Sequence, residues 1–102
     1  MAGMITLMVH LHAKPEKAAD LEKALHGLVV DARREAGCVD FHFHRDVKDP
    51  NHFAFYENWR SQKDFEEHLQ TPVQLEFAKV VDQYLVKGID LQFYEMRSPY
   101  NK

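Results

Sequence analysis

Residues 39–59 read VDFHFHRDVKDPNHFAFYENW, and this stretch decides the fold. Apolar side chains alternate with polar ones over Val39–Phe43 and again over Phe53–Trp59. A period of two over such lengths predicts two β-strands, each with two different faces. Between them, the polar segment Asp49–Asn51 contains a proline and is typical of a turn. The middle of the chain is therefore predicted to be a β-hairpin.

A strand and a helix are predicted before the hairpin. Residues 4–13 alternate aliphatic and mostly polar side chains, as expected for a first strand. Pro15 then stands where a proline is tolerated in the first turn of a helix. Apolar residues recur at helical spacing over Leu21–Ala32, so we expect this helix to end near Gly37.

Two helix starts and a last strand are predicted after the hairpin. Ser61, followed three residues later by Asp64, resembles an N-cap with an acid in the first turn. Thr71 followed by Pro72 repeats the start signal, so the helical region is expected to break near Thr71. Residues 89–96 alternate again and predict the final strand.

The resulting order is βαββαβ, the ferredoxin-like α+β arrangement. Residues 1–102 fit a single domain with a core over about residues 4–97, built on a four-stranded antiparallel sheet with helices on one face. The other face is not clearly polar, because Met8 lies on it and the last strand carries large side chains on both faces. We therefore expect a second copy to cover this face in a symmetric homodimer.

Composition excludes several classes of protein. The chain has 45% hydrophobic and 28% charged residues, a net charge of −3 and no basic stripe, which argues against nucleic-acid binding. No apolar run reaches the roughly 20 residues of a membrane helix, so we expect no membrane partner and a cytoplasmic location. The one cysteine, Cys38, follows a glycine at a predicted turn without an assignable base and is expected to be structural.

Trp59 and His68 are the first candidates for a site. Trp59 ends the third strand, and His68 lies three residues after Phe65, on or beside the inward stripe of the next helix. Both side chains should therefore face a common space. The simpler interpretation is that Trp59 caps the core and His68 is hydrogen-bonded at its edge.

Two histidine pairs raise the question of a metal site. His10 and His12 share one face of the first strand, and His42 and His44 share one face of the second. In the ferredoxin-like order the third strand separates these two strands, placing them about 9.5 to 10 Å apart. A site formed by one pair with a carboxylate such as Asp46 is the remaining alternative. We predict no metal.

The segment that runs from Glu57 to Trp59 and on to His68-Leu69-Gln70-Thr71-Pro72 resembles the antibiotic biosynthesis monooxygenase family. The hallmark of that family is a strand ending Glu-x-Trp, followed by a helix with His-Leu before a small residue and proline. The resemblance extends through Pro15, residues 35–38 and the last strand, so it covers nearly all of residues 4–97. Within the family the chain is most similar to the small quinol monooxygenases.

The resemblance implies a dimeric α+β barrel with a pocket in each subunit between sheet and helices. It also implies oxidation of a quinol, another dihydroxy-aromatic compound or a polyketide with molecular oxygen as co-substrate. Such enzymes use neither metal nor flavin, because the electron-rich substrate anion itself reduces oxygen. We accordingly expect no cofactor and a small aromatic substrate.

On the same resemblance, residues of this chain receive expected roles. Phe55, Phe65 and Trp59 suit an apolar cleft for a flat ring. His68 is the expected proton acceptor, since an imidazole can accept a proton at neutral pH. The catalytic candidates are thus His68 and Trp59. Substrate contacts are expected from the aromatic and polar residues Phe55, Tyr56, Glu57, Phe65 and Lys79, with Tyr56 or Glu57 as substitute or orienting groups.

Other activities occur within the family. Haem-degrading members hold haem iron through a helical His and use a strand Asn near the amino end. This first strand has Met8, His10 and His12 and no Asn, which argues against haem degradation, while His68 leaves haem binding as an alternative. Isomerases of small phosphorylated metabolites would need basic groups in the pocket, which Lys79 and Arg60 could supply. A dimeric binding module without catalysis is the third alternative.

Overall fold

The computed structural model describes residues 3–100; the predicted domain, 1–102, extends two residues beyond this range at each end. The strands and helices follow in the order β1 (Ile5–His12), α1 (Ala18–Arg33), β2 (Cys38–Arg45), β3 (His52–Trp59), α2 (Gln62–Leu69), α3 (Pro72–Val80) and β4 (Asp90–Tyr94). Short 3₁₀ turns at Pro15–Lys17 and Val81–Tyr84 precede α1 and follow α3. The predicted βαββαβ order is confirmed, with the second helical region in two pieces.

All strand pairs are antiparallel, and the sheet order is β2-β3-β1-β4. This is the predicted ferredoxin-like topology, with β3 between β1 and β2. In the register of the sheet, Val9 lies between Phe55 on β3 and Leu91 on β4. Because side chains alternate along a strand, these three residues share the face that the helices cover.

Capping side chains define where α2 and α3 begin. The Ser61 hydroxyl accepts a hydrogen bond from the Asp64 N–H at 3.1 Å. Thr71 caps α3 in the same way through the Gln74 N–H, at 3.4 Å, with Pro72 in the first turn. Each cap satisfies an N–H group that a helix start leaves unpaired. The predicted break near Thr71 is therefore confirmed.

The core lies between α1 and one face of the sheet. Its residues on β1 and β3 are apolar, as are those on the inner face of α1; the buried members are Leu7, Val9, Leu11, Phe53, Phe55, Trp59, Leu21, Leu25, Leu28 and Ala32. None of the helices within residues 3–100 has the length and hydropathy needed to cross a bilayer.

Gly37, in the turn between α1 and β2, allows α2 to approach closely. A Cβ atom at this position would lie 2.4 Å from the Cβ of Asp64, a distance that real side chains do not adopt. The Gly37 carbonyl also accepts a hydrogen bond from the Arg60 N–H at 2.8 Å. The absence of a side chain at residue 37 therefore sets how α2 sits beside the sheet.

No helix formed by residues 3–100 covers the opposite face of the sheet. Met8 and Tyr94 are 42% and 45% exposed there. Beside them Asn58 is fully buried, and its Nδ2 donates to Asp40 Oδ2 at 3.0 Å and to the Tyr56 hydroxyl at 2.9 Å. This face therefore combines exposed large side chains with a satisfied polar cluster.

Candidate functional site

A cavity of about 340 Å³ lies between the helix-covered face of the sheet and helices α2 and α3. Its wall is mainly apolar and includes Val9, Leu25, Phe41, Phe55, Phe65 and Leu91. Three polar side chains, Glu57, His68 and Gln74, also line it. A space of this size and lining is suited to a small, largely apolar ligand.

His68 is the basic group of this cavity. It lies in the last turn of α2, is only 3% exposed, and its Nδ1 is 2.8 Å from the carboxylate oxygen Oε2 of Glu35. Glu35 lies in the turn between α1 and β2, 33 residues away in sequence. A carboxylate on Nδ1 favours the tautomer that carries its proton there, which leaves Nε2 as a proton acceptor.

Trp59 lies directly behind this wall. It is fully buried, and its ring centroid is 4.5 Å from that of His68. The indole Nε1 donates a hydrogen bond to Oε1 of Glu57 at 2.9 Å. Phe65 packs edge-on against the indole, with centroids 6.1 Å apart. Trp59 therefore supports two cavity residues, His68 and Glu57, without lining the cavity itself.

Glu57 is a buried acid in the cavity wall. It is 4% exposed, and burial raises its pKa to about 7, although the hydrogen bond from Trp59 opposes the rise. The nearby carboxylate of Glu35 adds to the increase. Because the pKa lies near neutral pH, this carboxyl can hold or release a proton under ordinary conditions.

Residues 4–80 match the family described as antibiotic biosynthesis monooxygenase. The chain belongs to the antibiotic biosynthesis monooxygenase family. Its fold is similar to that of protein PA3566 from Pseudomonas aeruginosa, with a TM-score of 0.90 and 30% identity over 96% of this chain and 98% of that one. A candidate antibiotic biosynthesis monooxygenase from Nitrosomonas europaea has the same fold, with a TM-score of 0.90 and 22% identity over 99% and 98% of the two chains.

A curated relative, the uncharacterized protein sll1783 of Synechocystis, is 27% identical over 92 residues. The match covers 90% of this chain and 63% of that protein. The chain thus spans less than two thirds of the length of this relative.

Of the residues that the sequence suggested, this family member brings four to the cavity wall: Phe55, Glu57, Phe65 and His68. Phe55 and Glu57 are two residues apart on β3 and so share a face. Phe65 and His68 are three apart on α2 and share a helix face. Their roles toward a substrate stay predictions.

Tyr56 and Lys79 are not brought to the cavity. Tyr56 lies between Phe55 and Glu57 on β3, so its side chain is on the opposite face of the sheet, where its hydroxyl accepts from Asn58. Lys79 is exposed on α3 and pairs with Glu76 at 2.9 Å. Neither side chain lies in the wall of this cavity, and the substrate contacts expected of these two residues stay predictions.

Arg60, the other basic candidate, also lies outside the cavity. Its guanidinium donates to both carboxylate oxygens of Asp64 at 2.9 Å. This pair raises the pKa of Arg60 and lowers the pKa of Asp64. The pair stabilises the start of α2. Among residues 3–100, no lysine or arginine lines the cavity.

Sequence reasoning missed the partners of two candidate groups. Glu35 belongs to residues 35–38, which are part of the family resemblance, but no sequence spacing predicts its contact with His68.

On the other side of the sheet, His52 Nε2 lies 2.9 Å from His10 Nδ1, and His52 Nδ1 lies 2.9 Å from Asp46 Oδ2. Asp46 and His10, two of the candidate metal ligands, contact His52 instead. No group of three or more His, Cys, Asp or Glu residues within 3–100 is arranged to hold a metal ion.

Cys38 lies at the start of β2, half-buried beside the two acids of the site. Burial raises the pKa of its thiol to about 11, and the carboxylates of Glu35 and Glu57 add to the increase. The thiolate is the reactive form of cysteine. Cys38 is therefore kept in its protonated form at neutral pH.

Proposed function

We propose that this family member is an oxygenase that oxidises a quinol, or a related dihydroxy-aromatic or polyketide compound, with molecular oxygen and no metal or organic cofactor. The observation that supports this proposal best is the Glu35–His68 pair, which presents one imidazole nitrogen to an apolar cavity of about 340 Å³. An oriented proton acceptor in a water-poor, ring-sized space is what the chemistry of a phenol requires.

In the proposed reaction, Nε2 of His68 takes a phenolic proton from the bound substrate. The phenolate is electron-rich and transfers electrons to oxygen, after which a bond forms between oxygen and a ring carbon. Hydroquinone and one O2 give a hydroxyquinone and one water, so the atoms and electrons balance without an external reductant. The rings of Phe41, Phe55 and Phe65 hold the substrate and exclude water from reactive intermediates.

The charge of the wall disfavours isomerisation of a phosphorylated metabolite. Such a substrate would require cationic partners, and both Lys79 and Arg60 are paired on the surface instead. The acid–base groups His68 and Glu57 in an apolar wall also favour catalysis over simple binding, because burying such groups costs stability and groups of this kind cluster at active sites.

The proposal is tested by oxygen consumption. The protein is incubated with a panel of substituted hydroquinones in air, while an oxygen electrode and quinone absorbance are followed, and the same mixtures are run without oxygen. We expect oxygen uptake with at least one member of the panel. Replacing His68→Ala should lower the rate about 100-fold or more, since general-base catalysis typically contributes 10² to 10⁴.

His26→Ala is the matched control, because His26 is also a helical histidine but lies on the exposed side of α1. This variant should keep the rate of the unchanged protein. Oxygen uptake that is equal in the unchanged protein and in His68→Ala would contradict the proposed function.

A further inference from the structure

Oxidation of a hydroquinone to the quinone level removes two phenolic protons, and His68 can accept one of them. The second proton needs its own acceptor. A ring that keeps one neutral phenol group is a weaker reductant than the dianion, and so transfers electrons to oxygen less readily. The polar side chains of the cavity wall within residues 3–100 are Glu57, His68 and Gln74. An amide such as that of Gln74 does not accept a proton at neutral pH. Glu57 is the acid–base group that remains.

We propose that Glu57 is the second proton acceptor of this cavity and that Trp59 is the residue that positions it. The inference rests on the proposed function, since it assigns a residue to the second half of the same reaction. Once both phenolic O–H bonds are broken, the ring dianion reduces oxygen, a carbon–oxygen bond forms and the oxygen–oxygen bond breaks. The C–H bond of the attacked ring carbon also breaks, and its hydrogen becomes the hydroxyl hydrogen of the hydroxyquinone. The two protons leave in the water molecule that balances the reaction.

The geometry of Glu57 fits an acceptor that faces a ligand. Its Oε1 receives the indole N–H of Trp59 at 2.9 Å. Within residues 3–100, every fully buried side-chain oxygen or nitrogen has a hydrogen-bond partner. The second oxygen of Glu57 makes no such bond, so it must reach the cavity space. One oxygen is therefore fixed, and the other is available to a substrate.

Trp59 favours that orientation because its own ring is held in place by packing on several sides. It is fully buried and contacts the rings of Phe41, Phe65 and His68, with centroid distances of 6.3, 6.1 and 4.5 Å. A hydrogen bond from such a donor favours the orientation of the carboxyl group that keeps Oε1 beside the indole N–H. The same indole thus contacts both proposed acceptors.

The groups around Glu57 raise its pKa towards neutral pH, as a proton acceptor requires. Its neighbours on the adjacent strands are Leu7 and Phe41, which provide no countercharge. Within residues 3–100, Glu35 and the thiol of Cys38 interact electrostatically with Glu57, and His68 lines the same cavity. Burial and Glu35 hold the pKa near 7, so above that pH the carboxylate is ready to take a proton.

Kinetics of Glu57→Gln test the role directly. The amide keeps an oxygen for the Trp59 N–H but cannot accept a proton. With the best hydroquinone, we expect kcat/KM to fall about 100-fold, and the loss of rate below pH 7 to become shallower because the contribution of Glu57 is gone. Glu76→Gln is the matched control; Glu76 is exposed on α3, so both the rate and the pH profile should stay unchanged.

Trp59→Phe tests the positioning role. The indole N–H lowers the pKa of Glu57, so its removal should raise that pKa and move the acidic limb of the pH–rate profile to higher pH. We expect kcat to fall while KM changes little, since Trp59 does not line the cavity. An unchanged pH profile would contradict the positioning role of Trp59.

A measurement without turnover separates this inference from the proposed function. Trp59 is the one tryptophan of the chain, so its indole N–H gives a single NMR cross-peak that reports on Glu57. We expect it to titrate near pH 7, both in the unchanged protein and in His68→Gln, and to lose this titration in Glu57→Gln.

A midpoint below pH 5.5 would overturn the inference. So would an active protein whose Glu57→Gln variant keeps the rate and the pH profile; the proposed function would then stand on His68 alone. An indole titration near pH 7 in a protein that oxidises no hydroquinone would instead overturn the proposed function, and with it the reaction assigned to Glu57.

Discussion

At the scale of single residues, Glu57 links the cavity to the stability of the fold. Its pKa is about 7 in the folded protein, against an ordinary value of 4.5. The folded state therefore binds this proton more tightly than the unfolded state. The resulting stabilisation is fully present below pH 4.5 and is lost as the pH rises to about 7. A shift of this size corresponds to about 3 kcal/mol.

Glu57→Gln should remove this dependence, because the amide does not ionise. Above pH 8 we expect the variant to have a free energy of unfolding up to about 3 kcal/mol higher than that of the unchanged protein. Below pH 4.5 the two should be equally stable. Urea denaturation at a series of pH values measures both curves, and curves that run parallel from pH 4 to 9 would contradict the assigned ionisation.

At the scale of elements, the position of α2 depends on the turn before β2. Gly37 contacts the first turn of α2 through Asp64, and Glu35 in the same turn binds His68 in the last turn. Both ends of α2 are thus attached to residues 35–37. The geometry of the proton acceptor follows from the geometry of this turn.

Gly37→Ala should therefore both destabilise the protein and displace His68. The added Cβ would overlap Asp64, and overpacking of this kind typically costs about 1 to 3 kcal/mol. Gly27→Ala is the matched control: residue 27 is inside α1 and a Cβ there meets no atom within 4 Å, so it should stabilise the protein by up to about 1 kcal/mol. Thermal unfolding compares the two, and equal effects would argue against the close approach at Gly37.

At the scale of the whole molecule, the open face of the sheet supports the expected homodimer. Met8 lies at its centre, between Tyr56 on β3 and Gln92 on β4. With Tyr94 it exposes an apolar surface beside a buried polar cluster, and β4 is exposed along its length. A second copy of the chain would cover these side chains through the same face.

Met8→Asp should weaken such a dimer by at least about 100-fold, because a charge replaces an apolar side chain twice in one symmetric interface. Val47→Asp is the control, since Val47 is 98% exposed in the turn between β2 and β3. Analytical ultracentrifugation over micromolar concentrations measures both. A monomeric unchanged protein at 100 µM, or a Met8→Asp dimer of normal affinity, would exclude this interface.

The order of elements was predictable because its signals are local. Alternation identified β2 and β3, and the caps at Ser61 and Thr71 located the starts of α2 and α3. The last strand is shorter than expected, Asp90–Tyr94 within the predicted 89–96, since alternation continues beyond the ladder to β1. Hydrophobic periodicity and capping residues involve only a few neighbouring positions, so both signals can be recognised in a single sequence.

The site was predictable only in part. Strand and helix periods place Phe55, Glu57 and His68 on inward faces, and the same period excludes Tyr56 from the face of its neighbours. The contact between Glu35 and His68 joins residues 33 positions apart. Helix and strand periodicity relates residues within one element only, so it does not predict this contact. That Trp59 supports the wall rather than forming it depends on the packing of several rings at once.

The protonated state of the Cys38 thiol would protect the enzyme from inactivation by a quinone product. Quinones are electrophiles that alkylate thiolates, and the proposed reaction would release them a short distance from this side chain. With a pKa of about 11, roughly one thiol in ten thousand is ionised at pH 7. Burial first, and then the two acids beside the cavity, would thereby protect the one cysteine from the product and the catalyst from arylating itself.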